Sequence, residues 1–160
     1  EMIRGSLHPN KPEIISSVMC GNAFLEYYKL TKSERSLKVI SELCDFICQK
    51  LSIQHQEVDY FKYYEDDENR IVYNATAIAV SFLYDCSKFI KYDFPNLVKT
   101  SDSLLSKQKS QGYWNYSINL DSMTEYQQID FHQGYILESL QDLVNEKLPN
   151  HNKKQNVAKQ

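Results

Sequence analysis

Several patterns are missing from this 160-residue chain, and each absence closes off a class of protein. No CxxC pair occurs and no Cys/His pair has zinc-finger spacing, so Cys20, Cys44, Cys48 and Cys86 do not read as a metal or redox centre. Cys44 and Cys48 lie four apart on an apolar helical face, as small core residues do. No apolar run approaches the ~18 residues that span a bilayer, and no signal-peptide pattern opens the chain as given. Scattered free cysteines and the missing membrane span suit a cytoplasmic protein. A basic stripe is also lacking. With a formal net charge of −3, nucleic acid is not an expected partner. Glycine and proline number only four each, so turns are sparsely marked. No segment shows a strand period, which makes the expected class all-α.

What is present is aromatic. Twelve Tyr and seven Phe are many for this length, and two loops are rich in them. The spacing predicts a helix from about Pro12 to Leu30, striped by Ile14, Val18, Gly21, Leu25 and Tyr28. Thr31-Lys32-Ser33-Glu34 reads as a capping box opening a second helix to Leu51, with Leu37, Ile40, Cys44, Ile47 and Leu51 as its buried face. Residues 52–71 break the pattern. They hold Tyr60, Phe61, Tyr63, Tyr64 and the acidic run Glu65 to Glu68, which reads as a solvated turn rather than a metal site. A third helix over Tyr73–Phe89 carries small residues almost all round, as a helix buried on most sides does. Asp93 and Pro95 announce a fourth, which ends near Lys109. A second aromatic loop, 110–127, precedes a fifth helix that Pro149 stops. The domain is expected over 1–148, with a disordered polar tail at 149–160.

An internal repeat ties these parts together. Ile71 to Ile78 aligns with Ile129 to Ile136 at an offset of 58 residues, and each copy follows an aromatic loop and opens an amphipathic helix. A repeat of helical hairpins implies neighbours that bury one another's faces. Ile78, Phe82, Ile136 and Leu140 fall at matched positions and are expected in the core. Gly134, inside the last helical stripe, is expected to face a close neighbour or a ligand, since glycine otherwise costs a helix roughly 1 kcal/mol.

Gln108-Lys109-Ser110-Gln111-Gly112-Tyr113-Trp114 has the form QxxxGxW at a helix exit. The Gln can bond helix-end backbone groups, Gly permits a tight turn, and Trp can stack over the helix end. The motif resembles the QW motif of the α/α-toroid proteins. Tyr73-Asn74-Ala75, the Gly112-to-Tyr116 turn and Asp130-Phe131-His132-Gln133-Gly134-Tyr135 further resemble poorly characterised bacterial toroids of polysaccharide-biosynthesis clusters, which are similar to six-hairpin glycosidases. The resemblance spans about residues 10–148 and implies antiparallel helical hairpins forming part of an α/α toroid. The acidic DxDD and DCTAE motifs of the triterpene cyclases are absent.

The resemblance implies a carbohydrate-handling protein that makes or modifies a bacterial surface polysaccharide. Asp130 and Glu138 are the acid/base candidates and His132 the proton shuttle or donor. Tyr64, Tyr73, Asn74, Trp114, Tyr116 and Tyr135 are the candidate ligand contacts, since flat aromatics stack on sugar rings and amides bond hydroxyls. No metal or cofactor is expected. Two alternatives stand beside this: a non-catalytic helical-repeat binding module, completed by further hairpins or a second protomer, and a terpenoid-cyclase-like enzyme. The plain alternative for Trp114 and the tyrosines is packing at helix ends. Whether the chain turns a substrate over is left open by the sequence.

Overall fold

A computed structural model describes residues 11–67, 69–128 and 130–145. Its elements run α1 (Ile14–Thr31), α2 (Glu34–Phe46) with a π-helical turn at Ile47–Leu51, β1 (Ser52–His55), β2 (Val58–Phe61), β3 (Arg70–Val72), α3 (Tyr73–Ser87), α4 (Leu97–Ser106), β4 (Ser117–Asn119), β5 (Glu125–Tyr126) and α5 (His132–Asn145). The expected tail at 149–160 lies outside the described residues.

Local chemistry sets the helix boundaries. The Glu13 carboxylate caps α1 by accepting from the backbone N–H of Ile15 at 2.8 Å and of Ser16 at 2.5 Å. Lys32, left-handed at φ 55°, ends the helix and donates its N–H to Tyr28. The cap of α2 is Ser33 rather than the expected Thr31: Ser33 Oγ accepts from Ser36 N, while Thr31 is the last residue of α1.

The expectation of an all-α chain is overturned. Among the described residues the protein is mixed, with two small antiparallel sheets packed among five helices. Strands β1 and β2 form a hairpin in the register Ser52↔Phe61 to His55↔Val58. Its two-residue turn, Gln56-Glu57, has both residues at positive φ, 49° and 62°. That is the primed turn matching strand twist, built here without the Asn-Gly that normally marks it. The second sheet has the order β3-β4-β5, pairing Arg70↔Asn119 and Ser117↔Tyr126. These strands of two or three residues are too short to show alternation, and β3 meets its partner only through a distant loop.

The toroid of repeated hairpins is overturned with it. Instead of alternating inner and outer helices, α3 is the central helix, packed by α5, α1 and α4. Ten of its residues are buried, from Tyr73 to Cys86. Gly21 on α1 lets the Phe82 ring approach so closely that an added Cβ would lie 2.5 Å from it. Thr76 Oγ1 donates to the Phe61 carbonyl and accepts from its N–H, both at 3.2 Å, which pins β2 to α3. Thr100 Oγ1 donates to Asp59 O at 2.7 Å and pins α4 to β2. Phe82, Ile136 and Leu140 are buried, and Ile78 is half-buried against the same core. Gly134 has no described atom near where a Cβ would stand, so the close neighbour expected there is missing.

Candidate functional site

The site grows from the exit of α4. Gln108 Nε2 donates to the Gly112 carbonyl at 3.0 Å, and Gly112 turns the chain at φ 89°. The Trp114 indole Nε1 then donates to Leu104 O at 2.7 Å, satisfying a carbonyl in the last turn of α4. Trp114 is buried. Its backbone is clamped from α5: Trp114 N–H donates to Gln133 Oε1 at 2.8 Å, and Gln133 Nε2 donates to Trp114 O at 2.9 Å. This amide clamp holds the start of α5 against the loop, as a strand neighbour would.

The next residues form the second sheet. Tyr116 donates its N–H to Tyr126 O at 2.8 Å and accepts from Tyr73 N at 3.0 Å. Tyr116 therefore joins β5 to the first turn of α3. On β5, the Glu125 carboxylate accepts from Lys109 Nζ and Asn115 Nδ2, each at 2.5 Å, and from the Tyr73 hydroxyl at 3.4 Å. Lys109, foremost, holds Glu125 below the usual carboxylate range. Burial, then Glu125, push the Tyr73 phenol well up.

Tyr116 also opens a row of rings. The Tyr116 ring meets Tyr126 edge-on at 6.2 Å and His132 at 5.1 Å. His132 stacks on Phe131 at 4.2 Å, and Phe131 meets Tyr135 edge-on at 6.2 Å. Phe131 is 70% exposed and Tyr126 44% exposed. Asp130 borders this row at His132. Its Oδ2 accepts from Gln128 Nε2 at 2.6 Å, and its Oδ1 accepts from His132 N–H at 3.0 Å and lies 2.5 Å from His132 Nδ1. The Gln128 hydrogen bond, followed by the His132 N–H, holds the Asp130 carboxyl at about 2. A carboxylate only accepts, so Nδ1 of His132 carries the proton, and Nε2 is the lone-pair atom of the neutral ring. Arg70, which donates to Asp67 Oδ2 at 3.2 and 2.8 Å, also acts electrostatically on the Tyr116 phenol, as do Asp130, Asp67 and Tyr64. Burial is the main reason that phenol is raised.

Of the residues singled out in the sequence, Tyr116, Asp130, His132 and Tyr135 meet along this row. Tyr64 sits in the turn after β2, with its ring 5.0 Å from Tyr63. Tyr73, Asn74 and Trp114 are buried; Tyr73 reaches the row through its backbone N–H on Tyr116 O, and Trp114 stands two residues before Tyr116. Asn74 Oδ1 has no hydrogen-bond partner among the described residues. Glu138 is exposed on α5. It lies six residues past His132, turned by about 240° onto another face of the helix, and so does not join Asp130. Sequence reasoning missed Glu125, Gln128, Tyr126 and Phe131 as members of this region. Only the density of aromatic and amide residues around Asp130 pointed to them. Among the described residues, no group of three or more His, Cys, Asp or Glu is placed to hold a metal ion, and no helix is long and apolar enough to cross a membrane.

No protein-family model matches the chain, and no curated protein matches it.

Proposed function

We propose that this is a carbohydrate-handling protein whose sugar-contacting surface is the row Tyr126, Tyr116, His132 and Phe131, bordered by Gln128 and Asp130. The observation that carries the reading is the Phe131 ring, 70% exposed, stacked at 4.2 Å on an imidazole beside an ionised carboxylate. Exposed ring faces suit the C–H faces of a pyranose. Asp130 is an acceptor for sugar hydroxyls, and Gln128 offers an amide close by. Binding is the activity best supported. A general acid must hold a proton at working pH, and a carboxyl held at about 2 does not. Asp130 thus fits the orienting partner of His132 better than a proton donor. A second, enzymatic reading draws on the same pair: Nδ1 is fixed by the carboxylate, which leaves Nε2 as a base.

Calorimetric titration with neutral, amino and uronate oligosaccharides tests the proposal. We expect saturable binding to at least one of them. Phe131→Ala and Asp130→Asn each should weaken it by about tenfold or more, the size of one stacking or charge-assisted contact. No binding to any member, or affinity indifferent to both substitutions, overturns it.

A further inference from the structure

A separate cleft of about 600 Å³ lies on another part of the molecule, lined by Lys11, Pro12, Gln49, Lys50, Ser52, Lys62, Glu65 and Asp66. None of these residues belongs to the aromatic row. Four segments form its walls, and backbone hydrogen bonds fix them together. Ile14 N–H donates to Tyr63 O at 3.1 Å, and Glu13 bridges Tyr64, which anchors the segment before α1. Lys62 N–H donates to Leu51 O at 2.7 Å, which anchors the chain after β2 to the π-helical turn. Gln49 and Lys50 are carried by that turn, a feature that often marks functional sites.

The lining is polar and carries three ammonium groups against two carboxylates. Lys11 pairs with Asp66, and Lys50 pairs loosely with Glu65 at 3.6 Å, both side chains being well exposed. Exposed pairs of this kind contribute little and are readily exchanged. Lys62 Nζ donates to the Glu65 backbone carbonyl at 2.6 Å, a neutral acceptor, so its charge adds to the cleft. Lysine ammonium groups bind phosphate as point charges. Among the described residues, no aromatic ring lines the cleft to stack a nucleobase, while Gln49 and Ser52 offer bonds to hydroxyls. The volume falls within the range of small-molecule sites.

We propose that this cleft is a second binding site, for a small hydroxylated phosphate monoester of sugar-phosphate size, held by Lys50 and Lys62. The phosphate draws Lys50 away from Glu65 and takes up the charge of Lys62. Gln49 and Ser52 meet the hydroxyls. The site does not depend on the aromatic row, so its test stands apart from that of the carbohydrate surface.

Amide NMR titration of the full chain with inorganic phosphate, glucose 6-phosphate and glucose decides it. Glucose 6-phosphate should shift the amides of Gln49, Lys50, Ser52 and Lys62, and inorganic phosphate should shift the same set more weakly. Lys62→Ala and Lys50→Ala should each weaken binding roughly tenfold, the factor of one charge-assisted hydrogen bond. Both lysines are surface residues, and unchanged spectra elsewhere verify that the variants fold. The proposal is overturned if phosphate compounds shift nothing in the cleft, if glucose shifts it as strongly as its phosphate, or if both lysine variants bind as the parent does.

Discussion

Tyr73 and Phe131 hold matched positions 58 residues apart, each at the start of a helix and each followed by a polar residue, Asn74 or His132. Tyr73 is fully buried, whereas Phe131 is 70% exposed. The difference comes from what covers each helix start. The first turn of α3 follows β3 directly, and Tyr116, just before the neighbouring strand β4, accepts its first N–H. Helix α5 enters beyond the edge of that sheet, held by the Gln133 clamp on Trp114, and its opening rings overhang the solvent. One sequence pattern thus becomes core in the first setting and an exposed rim in the second. The helix with ten buried residues organises the fold, and the half-covered helix presents the chemistry.

The comparison breaks most visibly through α3. Phe82 packs into the place left by Gly21 and belongs to the central core. Phe82→Ala should cost about 3–5 kcal/mol in denaturant unfolding, from lost transfer energy plus a cavity. A loss below about 1 kcal/mol would mean that α3 is not the centre of the fold. On α5, Leu140 is buried while Leu137 is 50% exposed. Leu140→Ala should cost about 2–5 kcal/mol, and Leu137→Ala should stay within about 0.5 kcal/mol of the parent. Equal losses at the two positions would show that α5 is buried on both faces and presents no rim.

The helices were legible in the sequence because each carries a long stripe. Ile14, Val18, Gly21 and Leu25 are the buried residues of α1, as their spacing predicts. The small residues of α3 mark its burial on most sides, and all of Tyr73 to Ala77 are buried. The strands were not legible. They are two to four residues long, and the turn of the first hairpin is Gln-Glu, with neither glycine nor asparagine to announce its positive φ angles. Pairing of β3 with β4 depends on a contact nearly fifty residues away (Ile71↔Ile118), and local periodicity carries no trace of it. The candidate site divides along the same line. Asp130 and His132 stand two apart and read together, with Tyr116 named beside them, whereas Tyr126 and Glu125 join the region only through the sheet. The sequence offers Trp114 as a ligand contact beside the alternative of packing at a helix end, and the structure buries it over the end of α4.

A smaller effect sharpens the role of the α1–α3 contact. An added Cβ at Gly21 would lie 2.5 and 2.7 Å from the Phe82 ring, closer than real contacts come. The ring is itself packed in the core and has little room to move. Gly21→Ala should therefore destabilise by about 1–3 kcal/mol through overpacking, despite the helix propensity gained. Gly134→Ala on α5 meets no described atom and should be neutral or mildly stabilising. The two alanines together measure how differently the two helices are covered. Stabilisation at Gly21 would mean that α1 can slide off α3 at no cost.

The smallest effect belongs to Asp130, and pH reveals its sign. The folded carboxyl is held at about 2, below its ordinary value of 3.8, first by Gln128 and then by the His132 N–H. Between those two values the unfolded chain binds the proton and the folded chain does not, so stability rises with pH across that window. The contribution is fully present above the ordinary value and is lost as pH falls towards 2. Asp130→Asn removes the titrating group and keeps a side-chain oxygen able to accept from His132 N–H. The parent's advantage in Tm over the Asn variant should thus be small, level above pH 4, and shrink steadily towards pH 2. A gap of constant size across that range would show that the depressed carboxyl does not contribute to folding. A gap as large as that of Leu140→Ala would place Asp130 in the structural frame and would remove the contrast between a buried α3 and a solvent-facing start of α5.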